Sequence, residues 1–265
     1  MCIAGATGWT GRALVRGVLD APDLELGSAV SRSAAGRDLG EALGGQALGV
    51  RVHASAAEAL DGIAVLIDYT SVTVVKETAL ASIDAGVAVV IGTSGLSAAD
   101  FDEIDAAARE HSVGVVASGN FSLTAAMCSA AALLAARHLP QWEIIDYASA
   151  MKPDVPSGTA RELAERLGEV RRPALGHPID ELHGPQEARG ACVAGAQVHS
   201  VRLPSFVVST EVVFGLPDER LTIRHDAGGT PEPYVAGTLI AARRAPGLVG
   251  LTRGLDTLLL EVNDD

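Results

Sequence analysis

The chain has 265 residues, which at roughly 150 residues per domain is room for one large domain or two modest ones. Its 20 basic and 33 acidic residues leave a formal net charge of −13, which disfavours general affinity for nucleic-acid phosphates, and its 48% hydrophobic against 20% charged residues describe a compact globule. The longest apolar stretch, Leu123 to Ala136, is interrupted by Thr124, Cys128 and Ser129 before it reaches the roughly 18 residues of a membrane span, and MCIAG leads into a glycine cluster without a signal-type segment, so a cytoplasmic address is expected.

From residue 1 to about 122, short apolar runs alternate with longer helical patterns, as in βαβ units around a parallel sheet. Met1 to Ala4, Leu24 to Val30, Ala64 to Asp68, Val87 to Ile91 and Val113 to Ala117 read as strands buried on both faces. Thr10 to Ala21, Val72 to Ala85 and Ser97 to His111 read as helices, the last capped by Ser97 with Asp100. After Phe121 the style changes and a second domain begins. An Ala-rich helix to about His138 leads to a strand over Trp142 to Ala148, a Pro-rich loop, a helix and a Gly/Pro/His-rich stretch. Gln197 to Leu203, Phe206 to Phe214 and Arg220 to His225 then predict an antiparallel meander, and a helix over Tyr234 to Arg244 and an apolar tail at Leu258 to Leu260 follow.

The first strand runs into Gly5-Ala6-Thr7-Gly8-Trp9-Thr10-Gly11, inside which a helix begins. A strand, a glycine turn and a helix N-terminus let backbone N–H groups approach a pyrophosphate while the helix dipole favours its charge. At the end of the second strand, where an NAD-type site places an acid for the ribose hydroxyls, stand Ser31-Arg32-Ser33. A guanidinium and hydroxyls suit a 2′-phosphate, so NADPH is expected over NADH, with NADH still possible. Gly92-Thr93-Ser94-Gly95 and Ser118-Gly119-Asn120-Phe121-Ser122 are small polar clusters at two further strand ends, where such sheets form their ligand crevice.

The second domain's informative segment is Lys152-Pro153-Asp154-Val155-Pro156-Ser157-Gly158-Thr159-Ala160, which enters a helix. Ser157 or Thr159 can cap that helix, and its first N–H groups, approached at Gly158, suit a carboxylate or phosphate. Lys152 is one of only two lysines, beside Lys76, in a chain whose other cations are arginines, and an ammonium is the cation that can give up a proton when desolvated, which suits a general acid. Cys2, Cys128 and Cys192 have no paired spacing and read as ordinary buried or semi-buried thiols. The histidines form no ligand cluster, so no metal is expected; His183 and His225 are the two placed where they could face a cleft.

These residues together resemble the dihydrodipicolinate reductase family. The resemblance covers nearly the whole chain and rests on Gly5, Gly8, Gly11 and Arg12, on Ile67-Asp68-Tyr69-Thr70, on Ile91 to Gly95, on Gly119 to Ser122, on Lys152 to Thr159 and on Leu221 to His225. It implies an α/β protein: an N-terminal Rossmann doubly wound parallel sheet of residues 1–121, rejoined by 230–265, and a C-terminal α+β substrate and oligomerisation domain of residues 122–229, usually in a homotetramer. It implies that Tyr69 and Thr70 join the cofactor site, that the lysine at 152 assists protonation, and that Ser157, Gly158 and Thr159 hold a substrate carboxylate. The family's His-His pair is replaced by Ala148-Ser149, an arginine expected after His225 is absent from Asp226 to Pro231, and Trp9-Thr10 replaces Arg-Met.

The expected function is therefore NAD(P)H-dependent hydride transfer to a C=N or conjugated C=C–C=N bond of a small cyclic substrate, either 4-hydroxy-tetrahydrodipicolinate of the lysine and diaminopimelate pathway or a diverged cyclic imine. The alternative is a catalytically retired NADP-binding sensor or assembly protein.

Overall fold

The computed structural model describes residues 1–260, which divide into two compact units: Met1–Leu123 with the chain from Pro231 onward, and Thr124–Thr230.

The first unit is an α/β layer structure. Its elements are β1 (Cys2–Ala4), α1 (Trp9–Leu19), β2 (Ser28–Val30), α2 (Leu39–Ala42), β3 (Val52–His53), β4 (Val65–Asp68), α3 (Val75–Asp84), β5 (Ala88–Ile91), α4 (Ala98–Glu110) and β6 (Gly114–Ala117). The five predicted strands form with their ends trimmed, and every residue of β4, β5 and β6 is buried, as a sheet covered on both faces requires. Ser97 and Asp100 close a reciprocal capping box on α4.

Further along the chain come α5 (Leu123–Ala136), β7 (Trp142–Ala148), α6 (Gly158–Val170), β8 (Ala191–Val193), β9 (Ala196–Arg202), β10 (Val208–Leu216), β11 (Glu219–Asp226), α7 (Glu232–Arg244), β12 (Gly250–Arg253) and α8 (Leu255–Leu260).

The first sheet is seven-stranded, in the order β12-β6-β5-β4-β1-β2-β3, and each of its pairings is parallel. The chain reverses its direction of travel across the sheet between β1 and β4, so the crevice of this doubly wound fold opens at their carboxyl ends. β12 adds a seventh strand beside β6, in register from Gly250 with Gly114 to Arg253 with Ala117. α7 returns against α1, where a Cβ on Gly17 would stand 2.3 Å from Val235, and Arg243 pairs with Asp23 at 2.6 Å.

The second unit carries a five-stranded sheet in the order β11-β10-β7-β9-β8. This corrects the expected meander: β9 and β10 are consecutive in sequence but are not neighbours, because β7 lies between them, antiparallel to β10 and parallel to β9. A parallel pair needs a crossover, which the segment containing α6 supplies. β7 takes the centre because its alternation buries Trp142, Ile144, Asp146 and Ala148 on one face, where Trp142 and Ile144 pack in one cluster with Leu163, Ala164 and Leu167 of α6.

β8 is an edge strand joined to β9 through Ala194 and Gly195, both at positive φ, the turn geometry that suits a two-residue hairpin. It exposes Cys192, so of the three thiols only Cys2 and Cys128 are buried. Among the described residues, no helix is long and apolar enough to cross a membrane.

Candidate active site

In the first unit, β1 delivers the chain to Gly5 at φ +82, where a Cβ would stand 2.1 Å from the Tyr69 carbonyl oxygen. Only glycine fits so close an approach between the ends of β1 and β4. Gly8 is the extended N-cap of α1, and no side chain caps it. A Cβ on Gly11 would stand 2.1 Å from the Gly5 carbonyl oxygen, so the helix starts pressed against the strand end. The first-turn N–H groups of Trp9, Thr10 and Gly11 have no acceptor within such a helix, and the macrodipole makes that end attractive to an anion. Arg12 braces the elbow by donating from Nε to the Thr7 carbonyl at 2.9 Å. The Trp9 side chain is 55% exposed and meets Tyr234 edge-on.

Beside this elbow lies a cavity of about 590 Å³ whose lining includes Gly5, Thr7, Gly8, Arg32, Tyr69 and Thr70. The hydroxyls of Thr7, Ser31 and Ser33 form a chain, with Thr7 Oγ1 2.7 Å from Ser31 Oγ and Ser31 Oγ 3.3 Å from Ser33 Oγ. Arg32 is the cation of the lining and Glu77, on α3, its carboxylate. An elbow that lacks a Cβ at Gly5, Gly8 and Gly11, first-turn amides, and a hydroxyl-lined cavity with a guanidinium fit a dinucleotide: the amides would hold the pyrophosphate and the Ser31 to Ser33 end the adenosine ribose.

Tyr69 is held from two sides. Its hydroxyl lies 3.0 Å from Thr238 Oγ1, and its ring covers Gly92, where a Cβ would stand 2.2 Å from the ring. Burial pushes the Tyr69 phenol well above its ordinary range. Gly92 thus makes room for Tyr69. Phe121 lies buried, its ring centroid 6.4 Å from that of Tyr69. Ser94 is exposed, whereas Ser118 and Asn120 are buried and shape their own loop: Ser118 Oγ donates to the Asn120 carbonyl at 3.0 Å, and Asn120 Oδ1 accepts from the Ser122 N–H at 2.9 Å. None of Gly92, Ser94, Ser118, Asn120 and Phe121 lines the cavity. Asp68, at the end of β4, is fully buried and accepts from the Thr70 N–H, the Thr70 hydroxyl and the Thr93 hydroxyl; burial nevertheless holds its carboxyl above the usual aspartate range.

In the second unit, Ser157 is the N-cap of α6, its Oγ accepting from the Ala160 N–H at 3.3 Å. Gly158 and Thr159 open the helix. The cap is fixed from below by Asp146, a residue the sequence reading did not single out. Asp146, wholly buried on β7, accepts from the Ser157 N–H at 2.8 Å and from the Ser157 hydroxyl at 2.7 Å. Ser200 Oγ donates to it at 3.1 Å, and Arg202 Nη2 donates to it at 2.7 Å and to the Asp154 carbonyl at 2.8 Å.

The Lys152 side chain is 28% exposed and pairs with Asp154 at 2.9 Å. Ala148 is buried at the end of β7, and Ser149 Oγ accepts from the Met151 N–H at 3.3 Å. The one available signal for Asp146 was its parity on β7, which puts an acid among apolar, inward-facing residues.

A doubly wound parallel sheet with a glycine elbow and a hydroxyl-lined crevice at its switch point is the architecture of an oxidoreductase that uses a nicotinamide dinucleotide. Comparison with known proteins narrows the class. The family profile "Dihydrodipicolinate reductase, N-terminus" matches residues 1–121, and "Dihydrodipicolinate reductase, C-terminus" matches residues 120–255. A 4-hydroxy-tetrahydrodipicolinate reductase of Desulfitobacterium hafniense is 38% identical over 261 residues, covering 97% of both chains. One of Thermosynechococcus vestitus is 36% identical over 264 residues, covering 97% of this chain and 95% of its own. The dipicolinate-bound dihydrodipicolinate reductase from Paenisporosarcina sp. TG-14 superposes with a TM-score of 0.75 at 29% identity, covering 97% of both chains. The chain belongs to the dihydrodipicolinate reductase family and is an NAD(P)H-dependent oxidoreductase acting on a small molecule.

Proposed function

We propose that the protein reduces the C=N, or conjugated C=C–C=N, bond of a small cyclic imino acid with NADPH, the first unit binding the cofactor and the second the substrate. The observation that carries this reading is the Asp146 carboxylate clamping Ser157 and Arg202, which fixes the head of α6 just after Lys152 in the chain. The bound cofactor supplies a hydride from its nicotinamide ring. Gly5, Thr7, Gly8, Trp9, Thr10 and Gly11 hold its pyrophosphate, Tyr69 and Thr70 border its crevice, and Gly92, Ser94, Ser118, Asn120 and Phe121 act around that crevice by shaping it. Ser157, Gly158 and Thr159 bind a substrate carboxylate at the N-terminus of α6. Lys152 donates a proton to the substrate nitrogen as the adjoining carbon gains the hydride, and Asp154 keeps the ammonium in place.

Arg32 in the crevice lining supports NADPH over NADH, since a guanidinium pairs with a 2′-phosphate. The names of the relatives put 4-hydroxy-tetrahydrodipicolinate first among the substrates to assay. Ala148 and Ser149, which present neither charge nor imidazole, favour a second reading, a diverged cyclic imine. A cytoplasmic homotetramer is inferred with it, on the family resemblance.

The test is NADPH oxidation by the purified protein with dihydrodipicolinate and with monocarboxylate and uncharged cyclic imines. Turnover with a carboxylated imine that falls at least 100-fold in Lys152→Ala, with NADPH affinity unchanged, is the expected result. NADPH binding without oxidation across the whole panel would instead identify a retired, cofactor-binding protein.

A further inference from the structure

One charge in the cofactor crevice is left over by this assignment. Besides the elbow and the Ser31 to Ser33 turn, the cavity of about 590 Å³ is lined by two further stretches: residues 54–57, which follow β3, and Val74, Glu77, Thr78 and Ala81. These last four are spaced three and four apart from the N-cap of α3 onward, so they share one side of that helix. Alanines, a valine and a threonine give this part of the wall small, mostly apolar surfaces, which suit the flat faces of an aromatic base. Glu77 is the exception, an acid in a crevice that fits a ligand carrying several phosphates.

A carboxylate there repels a polyanion and weakens its binding, unless it meets a hydrogen-bond donor of the ligand. Glu77 has no competing role within the protein. Its carboxylate makes no hydrogen bond or ion pair among the described residues, Arg32 included, and the neighbouring Lys76 is engaged by Asp100 at 2.9 Å and by Glu103. Glu77 is exposed whereas Thr78 beside it is buried, so the acid stands at the mouth of the cavity.

The parts of a dinucleotide restrict what this acid can meet. Nothing from β5, β6 or the loops that follow them lines the cavity, so it takes the adenosine half and not the nicotinamide. Within that half the phosphates belong to the elbow amides and to Arg32. The base remains, and the donor on its rim is the 6-amino group of adenine. Hypoxanthine carries a carbonyl oxygen at the same position, which a carboxylate repels.

We infer that Glu77 selects the base of the cofactor: its carboxylate accepts a hydrogen bond from the 6-amino group of an adenine seated between residues 54–57 and α3, and it disfavours a 6-oxopurine. This rests on the reading of the crevice as the NADPH site.

The test compares NADPH with reduced nicotinamide hypoxanthine dinucleotide phosphate, which keeps the nicotinamide, pyrophosphate and 2′-phosphate and exchanges only the 6-amino group for a carbonyl oxygen. Calorimetric titration into the purified protein is expected to give NADPH about tenfold tighter binding than the analogue, as one hydrogen bond at a solvent-facing charged group provides. In Glu77→Ala that ratio should fall to about one, through a loss of NADPH affinity. Glu77→Gln, whose amide can accept from the amine or donate to the carbonyl, should bind the two about equally, and the urea midpoints of both variants should match wild type because Glu77 is exposed and unpaired. Equal affinities in the wild type, or a preference for adenine that survives Glu77→Ala, would overturn the inference. So would a rise in NADPH affinity in Glu77→Ala, the sign of an acid that only repels the ribose phosphate. Failure of the wild type to bind either nucleotide would overturn the NADPH reading of the crevice along with it, whereas equal binding of both would leave that reading standing.

Discussion

Ser157 gives both its backbone N–H and its hydroxyl to the carboxylate of Asp146, at 2.8 and 2.7 Å, so one buried acid fixes both the position and the rotamer of a helix cap. Arg202 balances that acid's charge. Replacing Asp146 by Asn leaves a buried guanidinium without its counter-charge and turns an amide donor toward donors, which is expected to destabilise the protein by about 3–5 kcal/mol. Urea unfolding of Asp146→Asn, Arg202→Met and the double variant checks this, and the double variant should lose less than the sum of the two single losses. Strict additivity would mean that the two side chains do not act as a pair.

Asp68 gives a pH dependence of defined sign. Its carboxyl is held above the ordinary aspartate value by burial, so the folded state binds a proton more tightly than the unfolded chain does. Stability therefore falls as pH rises from the unfolded aspartate value, about 3.9, to the raised folded value, and is flat above it. Compared with Asp68→Asn, wild type should gain stability as the pH is lowered through that window. Chemical denaturation of both proteins at several pH values measures the difference, and a gap that widens against wild type on acidification would contradict it.

Arg32 is the cation of the crevice lining. Arg32→Ala removes one charge-assisted contact of about 1.5–3 kcal/mol, which should raise the Kd for NADPH roughly 10- to 100-fold and leave that for NADH nearly unchanged. Calorimetry with both nucleotides reads this directly. An equal loss for the two would place Arg32 away from the 2′-position.

Gly92 underlies the Tyr69 ring, and a methyl group there would meet three ring atoms at 2.2–2.6 Å. Gly92→Ala should displace the ring, break the Tyr69 to Thr238 hydrogen bond and destabilise the fold by about 1–3 kcal/mol. NADPH affinity should fall with it, since Tyr69 lines the crevice. Denaturant midpoints and nucleotide titration of the same preparation test the coupling; unchanged values in both would show that the ring moves freely.

What the sequence revealed follows the range over which each feature is encoded. The glycine elbow from Gly5 to Gly11 and the capping box of Ser97 and Asp100 are written within a few consecutive residues, so they were legible. Runs such as Val87 to Ile91 were legible because burial on both faces leaves a continuous apolar signature. β3, with two residues, and β12, with one large apolar side chain in Gly-Leu-Thr-Arg, leave no comparable trace. The sheet order of the second unit was misread because strand adjacency is decided by which strand can bury a face, and not by which follows which. Asp146 escaped notice because its partners Ser157, Ser200 and Arg202 stand 11, 54 and 56 positions away, beyond any local pattern. The departures at Ala148 and Ser149 were visible at once.

The edge strand β12 has a consequence for how the protein comes into being. Its partner β6 leaves the ribosome more than a hundred residues ahead of it, with the whole of Thr124–Thr230 synthesised in between. During translation the parallel sheet therefore waits with β6 as an open rim, while the inserted unit, contiguous in sequence, can close around its own core first. A nascent chain arrested before Gly250 lacks the strand that pairs with β6, and release of the C-terminal segment supplies it.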